Sequence, residues 1–129
     1  MHYKKNQKDI LRKIDIPSRH GGIIPFKKKV AWLVLDKLRD NWTLLLGNSK
    51  KLLPKLLSEL YNIDVFFHDS NHVYSHMSFE YKSSYKFINN RGLLCSHDIL
   101  ANNAFDDFIR KYKIRRYLRI GNFGCAYKI

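Results

Sequence analysis

Ile63-Asp64-Val65-Phe66-Phe67-His68-Asp69-Ser70-Asn71-His72 and Leu93-Leu94-Cys95-Ser96-His97-Asp98 share one pattern. Each is a short apolar run that breaks abruptly into a polar loop containing a His-Asp pair. A run of this length, bounded by turn residues, reads as a buried strand. Between them, Val73 to Ile88 places Met77, Tyr81, Tyr85 and Ile88 on one helical face, and Asn89-Asn90-Arg91-Gly92 reads as a turn. Strand, helix, strand is the unit of a parallel sheet.

Working outward, the alternation continues. Asp9 to Ile16 reads as a strand ending at Pro17, and Ser18 to Pro25, with Gly21 and Gly22, as a loop. Phe26 to Asp40 carries apolar residues at 30, 31, 33, 34, 35 and 38 and reads as a mostly buried helix. Trp42 to Leu46 is a strand stopped at Gly47-Asn48. Ser49 is a helix N-cap for Lys50 to Tyr61, whose leucines at 52, 53, 56, 57 and 60 keep helical spacing. Asn103 to Tyr112 is a helix. Ile114 to Ile120 and Gly124 to Lys128 form a hairpin around Gly121-Asn122. The expected fold is α/β, a mostly parallel sheet with helices on both faces, in one domain spanning 1–129.

Composition excludes several classes. With 45% apolar residues in 129, the chain is globular. Its longest apolar run, Val30 to Leu35, is six residues, against the roughly 20 a membrane span needs. No secretory signal is visible behind the basic N-terminus. Cys95 and Cys125 sit in apolar runs and read as reduced, buried thiols, which suits the cytoplasm. The net charge is +13; residues 1–29 hold nine basic and two acidic residues, and residues 110–119 hold six basic residues and no acid. Such clusters attract phosphates. They lack the glycine and aromatic interleaving of an RNA-binding sheet, so solvated surface is favoured over nucleic-acid binding.

In an open α/β sheet the ligand sits at the carboxyl ends of the strands. Four strand ends carry polar groups here: Asp15; Gly47, Asn48 and Ser49; His68 to His72; and Ser96, His97, Asp98 and Asn102. Asp69, His97 and Asp98 offer ligands for a divalent ion. His72 suits a general base, the role that imidazole most often takes. His72, His76 and Glu80, spaced i, i+4, i+8, would also share a helix face; a surface or packing pair of His76 with Glu80 is favoured over a zinc site there. Cys95 reads as core rather than nucleophile.

Together, the stretch Ile63 to Met77, Glu80, Gly92-Leu93-Leu94-Cys95-Ser96-His97-Asp98-Ile99, Asn103-Ala104-Phe105 and Asp107-Phe108 resemble the class I S-adenosylmethionine-dependent methyltransferases. The resemblance is to the small-molecule branch with an HDSxHxYxxM motif, and it runs from Asp15 to Gly124. It implies a Rossmann-like sheet and S-adenosylmethionine as cofactor. Asp15 matches the acid that binds the ribose hydroxyls, Gly47-Asn48-Ser49 the loop beside the adenine, and His68-Asp69 the strand end facing the methionine. His72 matches a proposed base. Asp69, His97 and Asp98 match the positions that hold Mg²⁺ in metal-dependent members, where Asp-Asp is common in place of His97-Asp98.

The family's first strand and glycine-rich turn have no counterpart ahead of Asp15. The resemblance therefore implies an N-terminally truncated, partial domain: either the coding sequence is cut short, or a complementing N-terminal chain supplies the front, the other expected partner being a second copy in a homo-oligomer. The expected activity is methyl transfer to the hydroxyl of a small-molecule acceptor. The competing readings are a basic nucleic-acid-binding module or inactive fragment without enzymatic activity, and a metal hydrolase using His68, Asp69, His97 and Asp98.

Overall fold

The computed structural model describes residues 11–15, 34–40 and 42–129. The chain divides into two compact units, Met1–Asn48 and Ser49–Ile129. In the first, β1 (Leu11–Asp15) and β2 (Trp42–Leu46) pair in parallel, Leu11 opposite Trp42 and Asp15 opposite Leu46. Residues 26–33 of the expected helix lie outside the described residues. Of its remainder, only Asp36–Leu38 is helical, as a single 3-10 turn with Leu35 exposed.

The second unit is a four-stranded sheet in the order β3-β4-β6-β5, with three helices. Its elements are α1 (Ser49–Leu60), β3 (Ile63–His68), α2 (Tyr74–Tyr85), β4 (Ile88–Ser96), α3 (Ala104–Lys111), β5 (Tyr117–Ile120) and β6 (Phe123–Tyr127). β3 runs parallel to β4, while β6 is antiparallel to both β4 and β5. The C-terminal hairpin thus stands where the sequence placed it, and it supplies the antiparallel half of a mixed sheet.

Three expectations are corrected. Ile88 and the expected turn Asn89 to Gly92 belong to β4. The turn residues are absorbed as a local irregularity: the β3–β4 register shifts between Ile63 and Val65, and Arg91 adopts φ 70° while its N–H donates to the Lys128 carbonyl. β3 is also not buried on both faces, because Val65 and Phe67 are 56% and 54% exposed. Finally, Cys95 and Cys125 face each other across β4 and β6, Cα atoms 4.1 Å apart, and are joined as a disulfide. The reduced-thiol reading falls, and with it the compartment argument that rested on it.

The core of this unit is aromatic. Met77 and Tyr81 of α2, Phe105, Phe108 and Ile109 of α3, Leu94 of β4 and Ala126 of β6 are all buried. Tyr81 packs edge-on to Phe105 at 6.2 Å, and Phe108 meets Tyr81, Tyr85 and Tyr112 at 5.0–5.4 Å. Each such ring, fully buried, stabilises by about 1.5–3 kcal/mol. Gly124 permits this packing: a Cβ there would lie 2.7 Å from the Phe105 ring. α3 carries Asp106 and Asp107 in its first turn and Arg110 and Lys111 in its last, the arrangement the helix dipole favours. This core holds the ends of β3 and β4 side by side, where the polar loops emerge.

Candidate active site

Four titratable side chains converge where β3 and β4 end. Asp69 and His72 follow β3; His97 and Asp98 follow β4. The two strand ends are tied by the His97 N–H, which donates to the His68 carbonyl at 2.9 Å. Asn102 steadies the first loop, donating from Nδ2 to the His72 carbonyl at 2.8 Å. Its Oδ1 accepts from the N–H of Ala104 at 2.8 Å, at the start of α3. Asn122, in the β5–β6 turn, steadies the second loop. Its Oδ1 accepts from the Leu100 N–H at 3.0 Å and its Nδ2 donates to Asp98 Oδ1.

Asp98 itself has φ 53°, the left-handed region. Aspartate tolerates this conformation better than most residues, but it still costs about 1–3 kcal/mol and persists only where the surroundings enforce it. Here the strained backbone delivers the carboxylate to two imidazoles. Asp98 Oδ2 lies 3.1 Å from His72 Nδ1 and 3.2 Å from His97 Nδ1. Asp69 Oδ1 stands 3.6 Å from His72 Nε2 and 3.7 Å from His97 Nδ1. Desolvation raises the Asp98 pKa, but the His97 hydrogen bond, the charges of His72 and His97 and the Asn122 hydrogen bond outweigh it. They hold the carboxyl below its ordinary value.

His72 Nε2 is buried and has no hydrogen-bond partner among the described residues. The carboxylate beside Nδ1 is the nearer of the two that face this ring, at 3.1 Å against 3.6 Å for Asp69 at Nε2, and it favours the tautomer with its proton on Nδ1 and the lone pair on Nε2. This is the orientation a general base requires.

Behind this rim lies a second, buried cluster. His68 is 1% exposed and Glu80 is 3% exposed. His68 Nδ1 lies 2.7 Å from Glu80 Oε2, and His76 Nε2 lies 2.9 Å from Glu80 Oε1. Ser70 Oγ donates to both oxygens, at 3.1 and 3.2 Å, and Ser49 Oγ is 3.0 Å from His76 Nε2. Desolvation alone would raise the Glu80 pKa. Hydrogen bonds from His68 and Ser49 and the charges of His68 and His76 more than reverse it, bringing the carboxyl down to about 2. His68 Nε2 has no partner among the described residues, and its ring stands edge-on to those of His72 and Tyr81.

Of the residues singled out by sequence, Asp69, His72, His97 and Asp98 come together. His68 lies beneath them, turned toward α2. Ser49 begins α1 and reaches His76. The His76–Glu80 pair forms as expected, but inside the protein; His72 is engaged with Asp98 instead, so the three do not assemble a zinc face. Asp15 ends β1, and its side chain lies outside the described residues. Gly47 and Asn48 follow β2, Gly47 with φ 151°, which suits glycine. The glycine-rich turn sought ahead of Asp15 would fall in residues 1–10, also outside the described residues. Reasoning from sequence missed Asn102 and Asn122 as loop supports, and Glu80 as a buried hub.

Asp69, His72 and Asp98 each offer one ligand atom, and these lie within 4.8 Å of one another. The donor set fits a divalent ion. With an imidazole among the ligands it suits Mn²⁺, Fe²⁺ or Zn²⁺ better than Mg²⁺, which prefers an all-oxygen shell.

A mixed α/β unit with carboxylates and imidazoles gathered at the ends of its two parallel strands is consistent with a Rossmann-like fold. A family model described as a methyltransferase domain matches residues 4–99 of this chain. The chain belongs to that family, the class I S-adenosylmethionine-dependent methyltransferases. The matched span includes every residue to which the resemblance assigns a cofactor, metal or base role, from Asp15 to Asp98, whereas Asn102, α3 and Asn122 lie beyond it. No curated protein matches the chain at a significant level. Among the described residues, no helix is long and apolar enough to cross a membrane.

Proposed function

We propose that this chain transfers a methyl group from S-adenosylmethionine to a hydroxyl of a small molecule, with His72 as the base. The observation that carries this reading is His72 itself: Nδ1 lies 3.1 Å from the Asp98 carboxylate, and Nε2, 3.6 Å from Asp69 Oδ1, has no hydrogen-bond partner among the described residues. The sulfonium is already a good leaving group, so the protein's task is chiefly to hold acceptor oxygen, methyl and sulfur in line. His72 Nε2 takes the hydroxyl proton as the oxygen attacks, and the Asp98 carboxylate stabilises the resulting imidazolium. Proton transfer of this kind contributes roughly 10²–10⁴-fold. By position in the sequence, the resemblance assigns the cofactor's ribose to Asp15, its adenine to Gly47-Asn48-Ser49 and its methionine end to His68 and Asp69.

A divalent ion would be held by Asp69 and Asp98 with an imidazole as third ligand, and it would polarise the acceptor hydroxyl. The set that converges uses His72 as that imidazole, which would occupy the base; the base reading therefore requires His97, 3.7 and 3.2 Å from the two carboxylates, as the third ligand.

Thermal unfolding with and without S-adenosylhomocysteine tests the reading. At 100 times its dissociation constant the ligand should add about 2.7 kcal/mol, an upward shift of several degrees. A cooperative transition that does not move refutes it. Salt-sensitive binding to oligonucleotides in its place would make the basic surface the functional one.

A further inference from the structure

We infer that Glu80 is a positioning residue, the hub that locks the loop carrying Asp69 to the start of α1. The inference rests on the methyltransferase reading, because it assigns Glu80 a part in building that site. Asp69 is flanked by His68 and Ser70, and both neighbours bond to Glu80: His68 through Nδ1 at 2.7 Å and Ser70 through Oγ at 3.1 and 3.2 Å. With both flanking side chains drawn inward to one carboxylate, Asp69 stays on the rim, 56% exposed at its side chain, facing His72 and His97. The same carboxylate takes His76 at 2.9 Å, and His76 Nε2 meets Ser49 Oγ at 3.0 Å. Ser49 is the first residue of α1 and the last of the Gly47-Asn48-Ser49 loop.

One buried carboxylate therefore joins two segments of the proposed cofactor site that lie about twenty residues apart in sequence. A buried charge with this many donors is geometrically demanding. It stabilises only the arrangement in which all of them point at it. Among the described residues the polar partners of the Glu80 carboxylate include His68, Ser70 and His76 but not Asp69 or His72, so its effect on the site is transmitted through the backbone of residues 68–70.

Glu80→Gln in the full chain is the test, with Ile109→Ala as a control that weakens the α3 core without touching the hub. The readouts are S-adenosylhomocysteine affinity by calorimetry and amide hydrogen exchange by segment. Glu80→Gln is expected to lower affinity roughly tenfold, about the factor for one charge-assisted hydrogen bond. Exchange should rise jointly at residues 49–52 and 68–73, with α3 unchanged. Ile109→Ala should leave affinity at the wild-type value and raise exchange in α3. If Glu80→Gln leaves affinity intact, or raises exchange evenly as a general loss of stability would, the inference is overturned. If the wild type does not bind the ligand, the methyltransferase reading fails separately. The hub then stands or falls on whether the two segments lose protection together. Should Glu80→Gln not fold, Ser70→Ala removes one arm alone: exchange must rise at 68–73 and not at 49–52, and equal protection throughout overturns the inference.

Discussion

Glu80 gives the chain a specific sensitivity to acid. The folded-state pKa is about 2, against 4.5 for an ordinary glutamate. A folded pKa below the unfolded one means that folding favours the ionised form. The stabilisation is complete above the unfolded pKa and drains away as pH falls toward the folded one. The gap corresponds to about 3 kcal/mol, of which about 2 is gone by pH 3. Asp98 and Asp107 are also held below their ordinary values and act with the same sign, Asp107 through hydrogen bonds from Tyr74 and Arg110. The clean measurement is therefore a difference. Urea unfolding of the wild type and of Glu80→Gln should be followed from pH 7 down to about pH 3, comparing midpoints at constant m. The variant, weaker at neutral pH, should lose about 2 kcal/mol less over that range, so the two curves converge in acid. Parallel curves would refute the reasoning, since they would mean that Glu80 ionises in the folded protein as it does in the unfolded chain.

Two further outcomes follow from the geometry. His72→Asn should lower methyl transfer by roughly 10²–10⁴-fold while leaving cofactor affinity nearly unchanged; equal turnover in a coupled assay removes the base assignment. Gly124→Ala should destabilise by about 1–3 kcal/mol, because the added methyl meets the Phe105 ring at 2.7 Å and the ring must move. An unchanged melting temperature would mean that α3 shifts freely over the sheet.

Much of the described fold was legible because local signals agreed with one another. β2 was read at its observed bounds, α1 and α3 to within a residue at most ends, and the hairpin at its turn. The failures share a cause. Asn89 to Gly92 has turn chemistry, yet lies within β4, because the pairing with β3 tolerates a register shift and Arg91 takes the positive φ. Tertiary pairing overrode local preference there. The face of β3 was misjudged for a similar reason: an apolar run shows that side chains are apolar, not that both faces are covered. The disulfide could not be reached from spacing, since Cys95 and Cys125 are 30 residues apart and meet only through the β4–β6 register.

The site was legible in its carboxylates and less so in what holds them. His-Asp pairs at two strand ends were visible as a pattern, and the parallel β3–β4 ladder brings them together. Glu80 could have been found by the same means. It falls three residues after Met77 and one before Tyr81, on the face of α2 that buries Met77, Tyr81 and Ser84. A carboxylate on an apolar helix face must be hydrogen-bonded from all sides, or it would not remain charged there. That requirement alone predicts donors packed around it, and His68, Ser70 and His76 lie within twelve residues of it. Asn102 and Asn122 offer no such signal, because an asparagine in a loop serves equally well as a cap or a turn. Their role depends on which carbonyl or carboxylate the folded chain sets opposite them. At this site the reacting groups are therefore encoded locally, and the groups that aim them are encoded by the fold.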